Sequence, residues 1–220
     1  MPWEKEMKGI FVTGTDTGVG KTIITGYLAK YFLEKGYNVI TQKWIQTGCR
    51  TGISADVKTH LKIMGKKIKD IKGYLPYICP YTFKFAGSPH LASRMENKRI
   101  GRQKILKSFR FLSRCFDLVI VEGTGGALVP LDKKHLAIDI VKELNLAVLV
   151  VAQNKLGAIN HTLLTIEALK KRKINISGII FNNARCEKKQ IIADNPQIIK
   201  TLTKVTVFGT FPWIIGLRKT

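Results

Sequence analysis

The stretch Ile10-Phe-Val-Thr-Gly-Thr-Asp-Thr-Gly-Val-Gly-Lys-Thr22 decides the fold. Ile10 to Thr13 is apolar and β-branched, the composition of a short strand. Helical spacing follows from Thr22 to Glu34, with Ile23, Tyr27, Leu28 and Tyr31 along one side and Gly36 as the C-terminal glycine. A glycine-rich loop leaving a strand and opening a helix with Gly-Lys-Thr is the context of a phosphate-binding loop. The helix start offers unpaired N–H groups and the positive end of the dipole to a phosphate. Lys21 is placed to reach the terminal phosphates, and the Thr22 hydroxyl to ligate Mg²⁺. The strict motif has four residues between glycine and Gly-Lys. Here five separate Gly14 from Gly20, and Thr15 holds the strict glycine position. The alternative is an ordinary turn before a helix. A phosphate loop specifies a nucleotide, not a reaction.

Outward from this loop, short apolar runs alternate with amphipathic ones. Strands are expected at Asn38–Gln42, Asp117–Val121, Leu146–Ala152, Ile176–Phe181 and Val205–Phe208, and a helix at Ile159–Leu169. The alternation predicts an α/β fold: a doubly wound, mostly parallel sheet with helices on both faces, like the P-loop NTPases. Residues 50–114 break the rhythm. Tyr74–Pro80 reads as irregular, and two helical stretches follow with no strand between them. The expectation is one domain over residues 1–220 with a helical insertion at roughly 50–114. Residues 1–6 are expected to form a disordered extension, with Met7 as an alternative start.

Composition excludes other classes. Hydrophobic residues are 45% and charged residues 24% of the 220, which excludes a largely disordered chain. No apolar run approaches the roughly 20 residues of a membrane helix. No secretory core follows Met1, so a cytoplasmic location is expected. Cys49, Cys79, Cys115 and Cys186 form no CxxC pair, which argues against a zinc knuckle or a disulfide framework. Lys and Arg number 37 against 15 Asp and Glu, a formal charge of +22. That excess suits a polyanion. Its spread along the chain, with few interleaved aromatics, reads instead as solvated lysine-rich faces.

Other candidates sit where strands end, the edge at which open α/β sheets bind ligands. Lys43 ends the second strand and would lie beside the phosphate loop; a plain surface lysine is the alternative. Asp56 lies in Ile53-Ser-Ala-Asp-Val57, where a helix cap is the alternative. Glu122 leaves a buried strand into Gly123-Thr124-Gly125-Gly126, positioned to bind Mg²⁺ directly or through water, with glycines that admit a close ligand. Lys155-Leu-Gly-Ala-Ile-Asn-His161 opens a helix whose free N–H groups suit a carboxylate; His161 itself reads as a surface histidine. Asn182-Asn183 and Gly209-Thr-Phe-Pro-Trp213 end two further strands, where both suit an adenine edge.

Five segments in order resemble dethiobiotin synthetase: Gly14-Thr-Asp-Thr-Gly-Val-Gly-Lys-Thr22, Lys43-x-x-Gln-Thr-Gly48, Pro80-Tyr-Thr-Phe83 with Ser88-Pro-His90, Val121-Glu-Gly-x-Gly-Gly126, and Lys155-Leu-Gly-x-Ile-Asn-His161. The resemblance runs from about Lys8 to Trp213. It implies ATP-dependent closure of a cyclic urea from 7,8-diaminononanoate and CO₂ (or bicarbonate) through a carbamate and a carbamic-phosphoric anhydride. It implies Lys43 and Lys21 as catalytic residues, and Thr22, Asp56 and Glu122 as Mg²⁺ ligands. ATP would meet Thr17, Gly18, Val19, Gly20, Lys21, Thr22, Asp56, Glu122, Gly123, Thr124 and Gly125, with Asn182, Asn183, Pro212 and Trp213 around the base. The diamine substrate would meet Thr17, Lys43 and Thr47, and its carboxylate the Gly157 to Asn160 helix start across a homodimer interface.

The chain departs from the family at Trp44, where proline is usual; losing that fixed φ puts the presentation of Lys43 in question. A partitioning-type ATPase resembles Thr17 to Thr22 and would use the positive charge on DNA. It carries a signature lysine five residues before the loop lysine, and Asp16 stands there instead. A cobyrinate-type amidotransferase synthetase is longer than this chain.

Overall fold

Strands that are apolar on both faces need cover on both faces. The computed structural model describes residues 8–183 and 187–212. Along the chain come β1 (Gly9–Gly14), α1 (Lys21–Glu34), β2 (Val39–Lys43), β3 (Ile45–Gln46) and α2 (Ala55–Met64). After a 3-10 segment (Ile68–Tyr74) come α3 (Leu75–Ile78), β4 (Tyr81–Thr82), α4 (Pro89–Met95), α5 (Arg102–Cys115) and β5 (Leu118–Gly126). The chain continues with α6 (Ala137–Glu143), β6 (Ala147–Asn154), α7 (Ala158–Lys171), β7 (Ile176–Asn183), α8 (Lys189–Thr203) and β8 (Val207–Phe211).

Six strands form one parallel sheet in the order β2-β5-β1-β6-β7-β8. Successive strand residues serve opposite faces. Phe11, Val119, Val121, Val148 and Val150 enter one core with α5, α6 and α7 residues such as Ile105, Leu106, Ile138 and Ile166. Ile10, Val12, Ile120, Leu149 and Val151 enter the other with Ile24 and Ala29 of α1. The doubly wound α/β expectation therefore holds. The chain runs from β1 outward to β2 on one side and from β5 to β6 on the other, so the carboxyl ends of the adjacent strands β1 and β5 mark a topological switch point, where such sheets form a crevice.

Local expectations needed correction. The two helical stretches α4 and α5 have no strand between them, as expected, but an unexpected short strand, β4, precedes them and pairs in parallel with β3 through Ile45–Tyr81 and Gln46–Thr82. Such a distant pairing leaves no local signal. Tyr74–Pro80, read as irregular, contains α3, whose Pro76 sits in the first turn where no N–H is needed. The last strand starts at Val207 rather than Val205. In α1 the fully buried face is Ile24, Thr25, Gly26 and Ala29, whereas Tyr31 is 39% exposed, because α2 packs along that side of α1. Residues 1–6 and Trp213 lie outside the described residues.

Candidate active site

The loop between β1 and α1 closes on its own backbone. Lys21 is buried, and its Nζ donates to the Asp16 carbonyl at 2.9 Å. Thr15 N–H reaches Val151 O of β6 at 3.0 Å, tying the loop to the sheet. Gly20 has φ of 101° and starts α1; a Cβ there would also strike the Asn182 carboxamide. Asn182 Nδ2 donates to Val19 O at 2.9 Å, so β7 braces the loop from the side. Thr17 and Gly18 are exposed at the loop crest, and Val19 is buried beneath it.

Beside the loop lies a buried charged cluster. Lys43 and Glu122 are direct partners across the β2–β5 ladder. Lys43 Nζ donates to Glu122 Oε1 at 3.0 Å and to Gly123 O at 2.9 Å, and pairs with Asp56 Oδ2 at 3.0 Å. An ammonium has three protons, and all three are taken. Glu122 Oε1 also accepts from the Thr22 hydroxyl at 2.9 Å, and Oε2 meets His60 Nε2 at 2.8 Å. Burial disfavours the charge on Lys43, but Glu122 and Asp56 outweigh it and hold the ammonium above its ordinary range. Burial likewise works against the Glu122 carboxylate, but Lys43 and His60 hold it well below the usual carboxylate range.

Local chemistry sets these positions. Ser54, not Asp56, caps α2: its Oγ accepts from Val57 N at 3.1 Å. Asp56 is thereby free in the first turn to face Lys43. Ser54 also donates to Gln46 Oε1, joining α2 to β3. Gly123 is small for a different reason than expected. A Cβ there would lie 2.8 Å from Phe11 Cζ, so its close neighbour is a core ring. Thr124 Oγ1 donates to Ile45 O at 2.8 Å. Gly125 has φ of 68° and turns beneath Thr17.

Thr47 is half-buried on the loop after β3. Asn183 Oδ1 accepts from Asn154 Nδ2 at 3.1 Å, and Pro212 directly follows Phe211, the β8 partner of Asn182. Gly157, with φ of 84°, starts α7 at the end of β6; Asn160 is solvent-exposed on its first turn, outside the buried cluster. Sequence reasoning missed His60 and Gly26. The signal available was the spacing of Asp56 and His60, four residues apart on one helix and so on one face.

A family model described as an AAA domain matches residues 8–220. The ATP-dependent dethiobiotin synthetase BioD of Chlorobaculum tepidum is 41% identical over 215 residues, covering 96% of this chain and 88% of the relative. The protein of that name from Thermodesulfovibrio yellowstonii is 36% identical over 219 residues, covering 96% and 91%. The chain belongs to the ATP-dependent dethiobiotin synthetase family. It is thus one of a family of ligases. Among solved structures, a ParA family ATPase from Chlorobium tepidum superposes with a TM-score of 0.58 at 16% identity, covering 94% of this chain and 85% of that one. MinD in the MinC:MinD complex of Aquifex aeolicus gives 0.57 at 15%, covering 93% and 81%. These share the P-loop NTPase fold.

Trp44, the position at which the resemblance led to an expected proline, is held by burial. It is 3% exposed, its ring centroid lies 5.2 Å from that of Phe11, and its indole N–H donates to Gln42 Oε1 at 2.9 Å. Gln42 Nε2 in turn donates to Tyr77 O at 2.8 Å. The backbone on either side of Lys43 is thus anchored by packing and two hydrogen bonds. No helix among the described residues is long and apolar enough to cross a membrane.

Proposed function

We propose that this protein forms dethiobiotin from 7,8-diaminononanoate, CO₂ and ATP. The observation that carries the reading is the buried cluster of Lys43, Asp56 and Glu122, joined to the phosphate loop by the Thr22 hydroxyl that donates to Glu122, in a chain of this family. One amine of the diamine adds to CO₂ and loses a proton, giving a carbamate. A carbamate oxygen takes the γ-phosphoryl group and ADP leaves. The second amine attacks the carbonyl carbon, phosphate leaves, and the ring closes. Carbamate, mixed anhydride and phosphate are all anions, so fixed cations are the tools required. Lys21 neutralises the phosphates. Lys43 turns from its carboxylates to the carbamate and the transferred phosphoryl group. Thr17 and Thr47 contact the substrate. The N–H groups at Gly157 to Asn160 receive its carboxylate from a second protomer, and Asn182, Asn183 and the Pro212-Trp213 loop hold the adenine.

Mg²⁺ fits the residues present. Glu122, Asp56 and the Thr22 hydroxyl are hard oxygen donors; both carboxylates already face a cation, the Lys43 ammonium, and the Thr22 hydroxyl meets the Glu122 oxygen that faces it. Held by these residues, the metal would supply positive charge to offset the charge that develops on the phosphoryl group. The test is product mass spectrometry with ATP, Mg²⁺ and bicarbonate, with and without the diamine. Diamine-dependent dethiobiotin matched by ADP is expected. Lys43→Ala should lower its rate by about 10²–10³-fold or more while nucleotide still binds. Lys21→Ala should weaken both. ADP release without dethiobiotin, or full activity of Lys43→Ala, would overturn the assignment.

A further inference from the structure

One fully buried titratable side chain has no part in the roles above. His60 lies on α2 one turn beyond Asp56 and is 0% exposed. Its Nε2 stands 2.8 Å from Glu122 Oε2, and its Nδ1 has no hydrogen-bond partner among the described residues. The other Glu122 oxygen, Oε1, accepts from Thr22 at 2.9 Å and from Lys43 at 3.0 Å. The carboxylate is therefore divided: one oxygen faces the interior, the other the phosphate loop. An ionised carboxylate only accepts, so the proton of this contact sits on His60 Nε2. The terminal torsion of a glutamate is broad and nearly two-fold, so without such an anchor either oxygen, or both, would turn to the site.

The packing of α1 on α2 makes the contact. A Cβ on Gly26 would lie 2.7 Å from Ile63 Cδ1 and 3.4 Å from His60 Cα. Its absence lets α2 approach until the imidazole reaches Glu122. Lys43, Thr22 and His60 hydrogen-bond that carboxylate.

We infer that His60 is a positioning residue: its Nε2–H fixes Glu122 Oε2, so that Glu122 offers the single oxygen Oε1 to Lys43, Thr22 and a divalent cation. This rests on the reading of Glu122 as a metal ligand. The experiment titrates Mn²⁺ into the ADP complex by electron paramagnetic resonance, for the native chain, Glu122→Ala, His60→Leu and His60→Gln. His60→Leu should raise the Mn²⁺ dissociation constant by about 10–100-fold, the usual cost of losing a partner behind a metal ligand. His60→Gln, whose amide nitrogen reaches the Nε2 position, should restore most of the affinity. ADP affinity without metal should change little in either. A His60→Leu variant that is folded and binds Mn²⁺ as the native chain does, while Glu122→Ala does not, would overturn the inference and leave the Glu122 reading intact. Unchanged binding by Glu122→Ala would remove both. A readout free of variant folding is ¹⁵N-histidine NMR of the native chain. A proton on His60 Nε2 supports the inference, and a proton on Nδ1 alone overturns it.

Discussion

Lys43 and Glu122 each carry a charge that burial opposes, and each is held ionised by the other and by Asp56 and His60. Their opposite shifts set a pH dependence. Glu122 has a folded value below that of an unfolded glutamate, so its contribution is present above about pH 4.3 and is lost as pH falls through the folded value. Lys43 has a folded value above the ordinary one, so its contribution is full below about pH 10.4 and is lost as pH rises through the folded value. Urea midpoints should therefore keep this contribution level between those limits, and Glu122→Gln should reduce the dependence on the acid side. An acid limb identical in the variant would discount Glu122 as its source. Each residue was legible alone, as a charged group at the end of an apolar strand. Their pairing was not. Strand register between β2 and β5 joins residues 79 positions apart, and nothing local encodes it. His60 was hidden similarly: a lone helical histidine is ordinary until the partner behind it is known.

At the scale of elements, legibility followed the length and regularity of the pattern. β1, the loop and α1 were readable because strand, glycines and helix follow one another directly. β6 was readable as a continuous apolar run. α8 gave no clear signal because Pro196 interrupts its interior, yet the helix continues through it. Its Asn195 side chain donates to Asn154 Oδ1 at 2.8 Å, which fastens the helix under β6. The α1–α2 contact was unreadable, because a glycine within a helix signals weakness until its neighbour is seen. Gly26→Val should force these helices apart, lowering stability by about 1–3 kcal/mol. It should also reduce dethiobiotin formation, since α2 carries both Asp56 and His60. Chemical denaturation and the product assay measure the two effects; a variant of native stability and activity would show that the close approach is not needed.

For the whole molecule, the sheet order explains why the chemistry gathers in one place. β5 and β6 flank β1, so Glu122 and Val151 both border the phosphate loop, and β2 beyond β5 brings Lys43. The formal charge of +22 is not required by that arrangement. It adds self-repulsion over the surface, which salt screens within about 8–10 Å at physiological strength. The ParA and MinD structures share this frame at 15–16% identity.

The Lys43 ammonium between Asp56 and Glu122 gives two buried carboxylates a counter-charge from the chain itself. That ammonium is a tethered plug of positive charge, so folding need not leave the two carboxylates buried and unpaired. On the proposed reading of Asp56 and Glu122 as metal ligands, an arriving ion would compete with that plug for the same oxygens, so ion loading and release of Lys43 would be one event. The native chain should keep its melting temperature in EDTA. Lys43→Met, which leaves two buried carboxylates facing each other, should melt lower in EDTA and recover with millimolar Mg²⁺. Equal melting of both proteins with and without the ion would show that the plug carries no such duty.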